Sequence, residues 1–233
     1  MLFLGIESSC DETAAAVVRN GRDVLSSVIH SQIASHRPYG GVVPELASRE
    51  HVGRFPLVVA EAIRRAGVGW DEIDALAVTH GPGLISSLLI GLTGARALGQ
   101  AIGKPVWGVH HLEAHMAAIF LDAAAVLPSQ DAPLLVLLVS GGHSGLIDMR
   151  GVGEYRWLGQ TLDDAAGECL DKGATLLGLG YPGGPAIECA ARGGAAAYVK
   201  FPRGLEHARN RLTDNGWDIG LCLSFSGLKT ALL

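Results

Sequence analysis

The feature that most constrains this chain is a pattern that occurs twice. Starting at Leu2, and again at Leu134, a short apolar run leads into a polar loop, a second run, a tight turn, a third run and a helical stretch. The two copies share order more than residues. Duplication of this kind has to be recognised before a fold is assigned, and alternating strands and helices predict α/β layers. The chain has 233 residues and is 48% hydrophobic, enough apolar mass for two cores. The expected division is residues 1–130 and 131–233, each built on one copy.

In the first copy, residues 2–7 form an apolar run suited to a buried strand. A polar loop, Glu7 to Thr13, leads to strands at about 14–19 and 23–30, joined by Asn20-Gly21, a strong hairpin signal. Residues 31–44, with Pro38, Gly40, Gly41 and Pro44, read as a loop. Glu45 to Ala66 is helical, with Pro56 expected to kink or divide it, and Gly67 to stop it. A strand at 73–78, a tight turn at His80 to Gly83, a helix at 84–102 and a strand at 105–109 follow. A helix then runs to about 122, and 123–133 reads as a linker. The second copy has strands at 134–139, 145–149 and 154–158 and helices at about 161–178 and 184–193. It stops in the apolar segment Leu223 to Leu233 without the strands and helices that complete the first copy. The expectation is a fragment or a product cut short. The alternative is a short natural protein, which would leave apolar faces uncovered.

His111 and His115 stand four residues apart at the head of an apolar run, so on a helix they share one face. Two neutral imidazoles so placed can grip one metal ion, zinc or iron among the candidates. The metallopeptidase pair has the same spacing but needs Glu directly after the first His. Here Leu112 follows His111. The motif therefore reads as a two-histidine metal clip whose third ligand comes from elsewhere, or as two amphipathic-helix histidines with no ligand.

Three loops are placed to carry further chemistry. Ser140-Gly141-Gly142 can present bare backbone N–H groups to an anion. Ser8, Ser9 and Thr13 offer hydroxyls, and the two loops are expected to face one another across a cleft between the copies. Tyr181-Pro182-Gly183-Gly184-Pro185 opens a helix, whose amino end favours an anion. No P-loop or Rossmann glycine pattern is present, so a nucleotide cleft of another type is expected. Asp11 and Glu12 lie in the first loop; Asp163, Asp164, Glu168 and Asp171 surround the helix after the second repeat. Asp171 can accept from a ribose hydroxyl or a substrate amine. The plain reading of these acids is a solvated helix face.

Net charge is -5, which gives no global basic signature for nucleic acid. From Arg192 to Lys229, six Lys/Arg (192, 200, 203, 209, 211 and 229) outnumber three acids (206, 214 and 218), a modest local patch. Cys10, Cys169, Cys189 and Cys222 form no C-x-x-C pair and read as reduced thiols of a cytoplasmic protein. The amino terminus lacks a basic n-region, and no apolar run is long enough to span a membrane.

Several blocks together carry a family resemblance. They are Gly5-Ile6-Glu7-Ser8-Ser9-Cys10-Asp11-Glu12-Thr13, the run from Tyr39 to Arg49, Gly81-Pro82-Gly83-Leu84, His110-His111-x-x-x-His115, Leu138-Val139-Ser140-Gly141-Gly142-His143, Asp171-Lys172, Tyr181 to Pro185, and Phe225 to Thr230. In this order they resemble the TsaD family, formerly called O-sialoglycoprotein endopeptidase. The resemblance implies a duplicated actin-like, Hsp70-like ATPase (ASKHA) fold, with residues 131–233 an incomplete second lobe. It implies transfer of the threonylcarbamoyl group from threonylcarbamoyl-AMP to N6 of adenosine 37, in tRNAs reading ANN codons. It implies one divalent ion, iron or zinc, on His111 and His115 plus an Asp beyond this chain. By the same match Leu138, Val139, Ser140, Gly141, Gly142, Asp171 and Gly184 touch the adenylate, with Glu188 one turn beyond Gly184. Asp11 is the candidate for assisting deprotonation of the attacking amine. TsaB-like and TsaE-like proteins are the implied partners, beside tRNA. Residues 204–222 look longer than the family's connection, and Cys222 stands where Asp is common. This chain by itself is expected to bind metal weakly and not to turn over. The alternatives are a metallopeptidase, a catalytically inactive scaffold subunit, or a sugar kinase on the same fold.

Overall fold

A computed structural model describes residues 1–121, 125–195, 198–206 and 211–233. The helix end expected at 122, part of the expected linker and Arg209 of the basic patch lie outside the described residues. The chain separates into two compact units, Met1–Val126 and Leu127–Leu233.

The first unit is built on a five-stranded sheet of order β3-β2-β1-β4-β5. Strands β1 (Leu2–Glu7), β2 (Glu12–Arg19) and β3 (Asp23–Ser31) form an antiparallel meander. Strands β4 (Ala75–Gly81) and β5 (Val106–His110) add in parallel beside β1. The β2–β3 hairpin turns on Asn20 (φ 53°) and Gly21 (φ 75°), a left-handed pair closed by Arg22 N donating to Arg19 O at 3.1 Å, with Arg19 paired to Asp23 across the turn. Helices α2 (Pro44–Ala66) and α3 (Ile85–Ile102) pack on this sheet. Strand alternation sends Leu4, Ile6, Ala15, Val17, Leu76 and Val78 into the core, against Val58, Val59, Ala62 and Ile63 of α2. Gly5, Glu7, Glu12, Ala14 and Ala16 consequently share the opposite face.

Three local expectations for this unit change. Residues 31–44 are not a plain loop, because helix α1 (Ile33–His36) and a 3-10 turn (Arg37–Tyr39) form there. Buried His36 holds this segment: its Nε2 lies 3.0 Å from Gln32 Oε1, and its Nδ1 accepts from Val43 N at 3.3 Å. Pro56 does not divide α2. Its ring removes one N–H from the ladder, but Val52, whose carbonyl loses that bond, is 62% exposed, so water can supply the partner. The turn expected at His80 begins later, since β4 extends to Gly81. Helix α3 is long and apolar enough to cross a membrane by length and composition. In this unit its Leu88, Gly91, Ala95 and Gly99 stripe is buried, while Ile85 and Leu89 are exposed.

The second unit repeats the meander in β6 (Leu134–Val139), β7 (Ser144–Gly151) and β8 (Glu154–Gln160), a three-stranded antiparallel sheet. Helices α5 (Ala166–Leu176), α6 (Gly183–Ala190) and α7 (Ser226–Ala231) follow; α4 belongs to the first unit and is described below. Helix α5 starts five residues later than periodicity predicts. Residues 161–165 are committed elsewhere: Thr161 bridges in parallel to Leu223, and Leu162 N donates to Leu223 O at 2.9 Å. The Asp163 carboxylate accepts from Ser224 Oγ, Phe225 N, Ser226 N and Ser226 Oγ at 2.5–3.2 Å. It thus caps α7 from 61–63 residues away. Burial acts to raise the Asp163 pKa, but the donors from Ser224, Phe225 and Ser226 outweigh it and hold it at about 2.

Candidate functional site

The first site grows out of the carboxyl ends of β1 and β4. Glu7 is the last residue of β1, on the face opposite the core, and Thr79 stands beside it on parallel β4. Thr79 Oγ1 donates to Glu7 Oε2 at 2.5 Å, and Ser9 N donates to Glu7 Oε1. Strand β5 then delivers the chain into α4 (His111–Ala117), with Leu112 and Met116 buried and the histidines on another face. His111 Nδ1 lies 3.2 Å from Glu7 Oε2 and 3.3 Å from Ser9 Oγ. A carboxylate only accepts, so His111 carries its proton on Nδ1. Its Nε2 lone pair therefore faces His115 Nε2, 3.2 Å away. The two rings are edge to face, with centroids 4.6 Å apart.

These nitrogens fit a metal. Two ligands each about 2.1 Å from a tetrahedral ion lie roughly 3.4 Å apart, close to the spacing found. A carboxylate on the far nitrogen of a ligating histidine is the usual way its tautomer and orientation are set. Burial is the largest influence on Glu7 and acts to raise its pKa; hydrogen bonds from His111, Ser9 and Thr79 overcome it and hold the carboxyl at about 2. Burial first, and then His111, keep His115 below the ordinary histidine range, favouring the neutral form that binds metal. Among the described residues no group of three or more His, Cys, Asp or Glu side chains is placed to hold an ion, so the pair by itself could supply two ligands and no more. His111 and His115 border a cavity of about 540 Å³ floored by small side chains such as Ala14, Ala16 and Ala77. Glu7 and Glu12 line it; Asp11 and Glu113 do not. Glu113, one residue past the position where the peptidase motif needs its acid, is thus not among the groups that line this cavity.

Asp11 is half-buried in the β1–β2 loop, where its carbonyl accepts from Gln32 N at 2.9 Å. The loop is clamped from behind by His51 of α2, which is fully buried. His51 Nε2 donates to Cys10 O at 2.9 Å, and its Nδ1 lies 2.8 Å from Thr13 Oγ1. Burial, then the charges of Asp11 and its neighbours, push the Cys10 thiol up to about 12, so it stays protonated. Burial and Asp11 also raise Glu12. On the other side Leu84 N donates to Ser9 O at 2.8 Å, and a Cβ on Gly83 would lie 2.5 Å from that carbonyl. Glu7 and His51 escaped the sequence reading. Glu7 reads as the end of an apolar strand and His51 as one more helix residue, and neither partner set is local.

The second site lies within the second unit. Leu138 is buried on β6, so only its backbone can serve a ligand, whereas Val139 is 54% exposed. Ser140 closes the β6–β7 loop on itself: its N and Oγ bond to His143 O, and its Oγ accepts from His143 N at 3.0 Å. Gly141 and Gly142 are exposed, with open space where a Cβ would stand. Nothing in the described chain demands glycine there, which fits residues kept small for a ligand's approach. Asp171 Oδ1 accepts from Gly183 N at 2.7 Å, tying α5 to the start of α6 and Gly184. A Cβ on Gly183 would sit 2.5 Å from Asp171 Cα, so the two helices touch through backbone. Glu188 is exposed and four residues beyond Gly184 on α6. The structure thus links Ser140–Gly142, Asp171 and Gly184 through α5. Asp163, Asp164 and Glu168 hold structural partners instead. Asp164 pairs with Lys172 (2.7 Å) and Lys229 (3.1 Å), while Glu168 accepts from Ala165 N and pairs with Lys172.

Comparison with known proteins places the chain in a family. A family model described as TsaD, tRNA N6-adenosine threonylcarbamoyltransferase, matches residues 23–233. Proteins named tRNA N6-adenosine threonylcarbamoyltransferase are 53% identical in Trichlorobacter lovleyi, over all of this chain and 64% of that protein. The Cyanothece sp. protein of that name is 55% identical, over 99% of this chain and 64% of its own length. The chain therefore spans somewhat under two thirds of the length of these relatives. Among solved structures it is similar to YeaZ from Pseudomonas aeruginosa, with 19% identity, a TM-score of 0.41, and 67% of this chain and 66% of that chain covered. From the family model and the identity to its relatives across essentially all of this chain, the chain belongs to the TsaD family of tRNA N6-adenosine threonylcarbamoyltransferases.

Proposed function

We propose that this chain is part of an enzyme that transfers the threonylcarbamoyl group from threonylcarbamoyl-AMP to N6 of adenosine 37 in tRNAs reading ANN codons. The observation that carries the reading is 53–55% identity, across essentially the whole chain, to proteins named for that transfer. The site geometry supports it. His111 and His115 would hold the divalent ion, iron or zinc, with Glu7 setting the His111 tautomer. When bound, such an ion acts as a Lewis acid toward the carbamoyl oxygen or holds the threonyl carboxylate. Gly141 and Gly142, in the loop that Ser140 closes on His143, offer backbone N–H groups to the adenylate phosphate, and Asp171 and Gly184, with Glu188 beyond them, take the ribose side. Donors aimed at developing charge are the main source of acyl-transfer catalysis. Asp11 assists removal of the proton from the attacking N6 amine, and AMP leaves. In this reading the two units are the halves of a duplicated actin-like fold, the second incomplete, in the cytoplasm. TsaB-like and TsaE-like proteins are partners, beside the tRNA.

The test is mass spectrometry of nucleosides from tRNA incubated with threonylcarbamoyl-AMP, the complete gene product and its partner proteins. The modified adenosine should accumulate, and should not with His111→Ala. Accumulation of no modified adenosine by the wild type would overturn the reading. Metal-dependent cleavage of a glycoprotein in the same preparation would favour a peptidase.

A further inference from the structure

The geometry points to Gly167 as the residue that positions the Ser140–Gly142 loop for its nucleotide ligand, a role that rests on the reading above. Gly167 stands in the first turn of α5, which lies directly against the loop. A Cβ there would sit 2.7 Å from Gly141 Cα, 2.9 Å from Ser140 O and 3.0 Å from Gly141 N. All three atoms belong to backbone, so none can swing aside as a side chain would. Any larger residue must push the loop or tilt the helix.

The contact is also bonded. Gly167 N donates to Ser140 O at 3.2 Å, and Ala166 N donates to the Oγ of buried Ser144 at 2.9 Å. Ala165 N is taken by Glu168 at 3.3 Å. The N–H groups of Ala165, Ala166 and Gly167, at the start of α5 where a helix normally leaves such groups without partners, are therefore spent on the loop, on Ser144 and on the helix's own cap. They hold the loop rather than serve as an anion site. The N–H groups offered to phosphate are those of Gly141 and Gly142, whose Cβ positions face open space.

Gly167 is also four residues before Asp171, so the two share one face of α5. One helix thereby sets the loop through Gly167 and the start of α6 through Asp171 and Gly183. Moving the loop relative to Asp171 would separate the groups proposed to take phosphate and ribose. Gly167 contacts no reacting atom in this account; it acts through Gly141.

The experiment compares Gly167→Ala with Gly173→Ala in the complete gene product. Gly173 lies on the same helix, but a Cβ there meets only side-chain ends, Leu232 Cδ1 at 3.3 Å and Ile187 Cδ1 at 3.7 Å. Both substitutions raise helix propensity alike, so a general effect on α5 would appear in both. Two readouts are taken: AMP affinity by calorimetry, and amide hydrogen exchange at residues 140–143 without ligand. Gly167→Ala should weaken AMP by about tenfold or more and speed exchange in the loop, while Gly173→Ala leaves both near wild type. Loop exchange unchanged in Gly167→Ala, or changed equally in both variants, overturns the positioning role. If the wild type fails to bind AMP, the nucleotide reading itself is overturned, whatever exchange shows. Should Gly167→Ala not fold, Ser144→Ala removes the neighbouring anchor on Ala166 and is judged by the same two readouts.

Discussion

Replacing Glu7 by Gln tests the account of the histidine pair most directly, because it removes a charge and keeps the shape. Three donors converge on this carboxylate, from His111, Thr79 and Ser9. The amide of Gln keeps one accepting oxygen and turns an NH2 group toward a donor. Glu7 is held at about 2 against an ordinary 4.5, equivalent to about 3 kcal/mol of stability. A folded-state pKa below the unfolded one means this stabilisation is full above about pH 4.5 and is lost as pH falls through 2. The assay is urea unfolding of metal-free wild type and Glu7→Gln from pH 7 down to pH 2. The gap between them should be about 2–3 kcal/mol at pH 7 and shrink steadily below pH 4.5. Competition with a chelator at pH 7 should show zinc bound about 10–100-fold more weakly by the variant. A stability gap that does not change with pH, together with unchanged zinc affinity, would refute the role given to Glu7.

Other outcomes follow from the same geometry. His111→Ala and His115→Ala in the complete gene product should each abolish metal retention and tRNA modification, measured by elemental analysis and nucleoside mass spectrometry; full activity in either removes the metal role. His51→Ala strands the Cys10 carbonyl and the Thr13 hydroxyl in a dry cavity, and should cost about 3–5 kcal/mol in chemical denaturation; a loss below about 1 kcal/mol would mean that the clamp is not needed. Asp163→Asn should speed amide exchange across 224–231 while leaving exchange in the first unit untouched, since its four bonds all go to Ser224–Ser226. Uniform acceleration in both units would contradict that placement.

Elements with strictly local causes were legible in the residues. Asn20-Gly21 specifies its hairpin because positive φ is a local preference, and Gly67 ends α2 for the same reason. The four-residue spacing of His111 and His115 puts them on one helical face whatever surrounds them, and their nitrogens do converge. Gly141 and Gly142 announce a bare backbone that the fold leaves open.

What sequence could not reveal depends on partners far along the chain. Alternation along β1 puts Glu7 opposite the core, but only the parallel pairing of β1 with β4 brings Thr79, 72 residues away, to its carboxylate. Periodicity extends α5 back to 161, yet Asp163 is worth more to the distant start of α7, where it satisfies four donors at once, than to a helix of its own. Pro56 reads as a break because the lost bond is visible in sequence, whereas the exposure of Val52 that makes the loss tolerable is not. Sequence by itself determined most of the strands, turns and helices, and which residues offer an imidazole or a bare backbone, because those choices depend on residue type and on bonds within a few residues. Tertiary structure alone decided which acids are spent as struts, which histidine receives a carboxylate, and which glycine is demanded by contact, because each requires two distant backbones to meet within hydrogen-bonding distance.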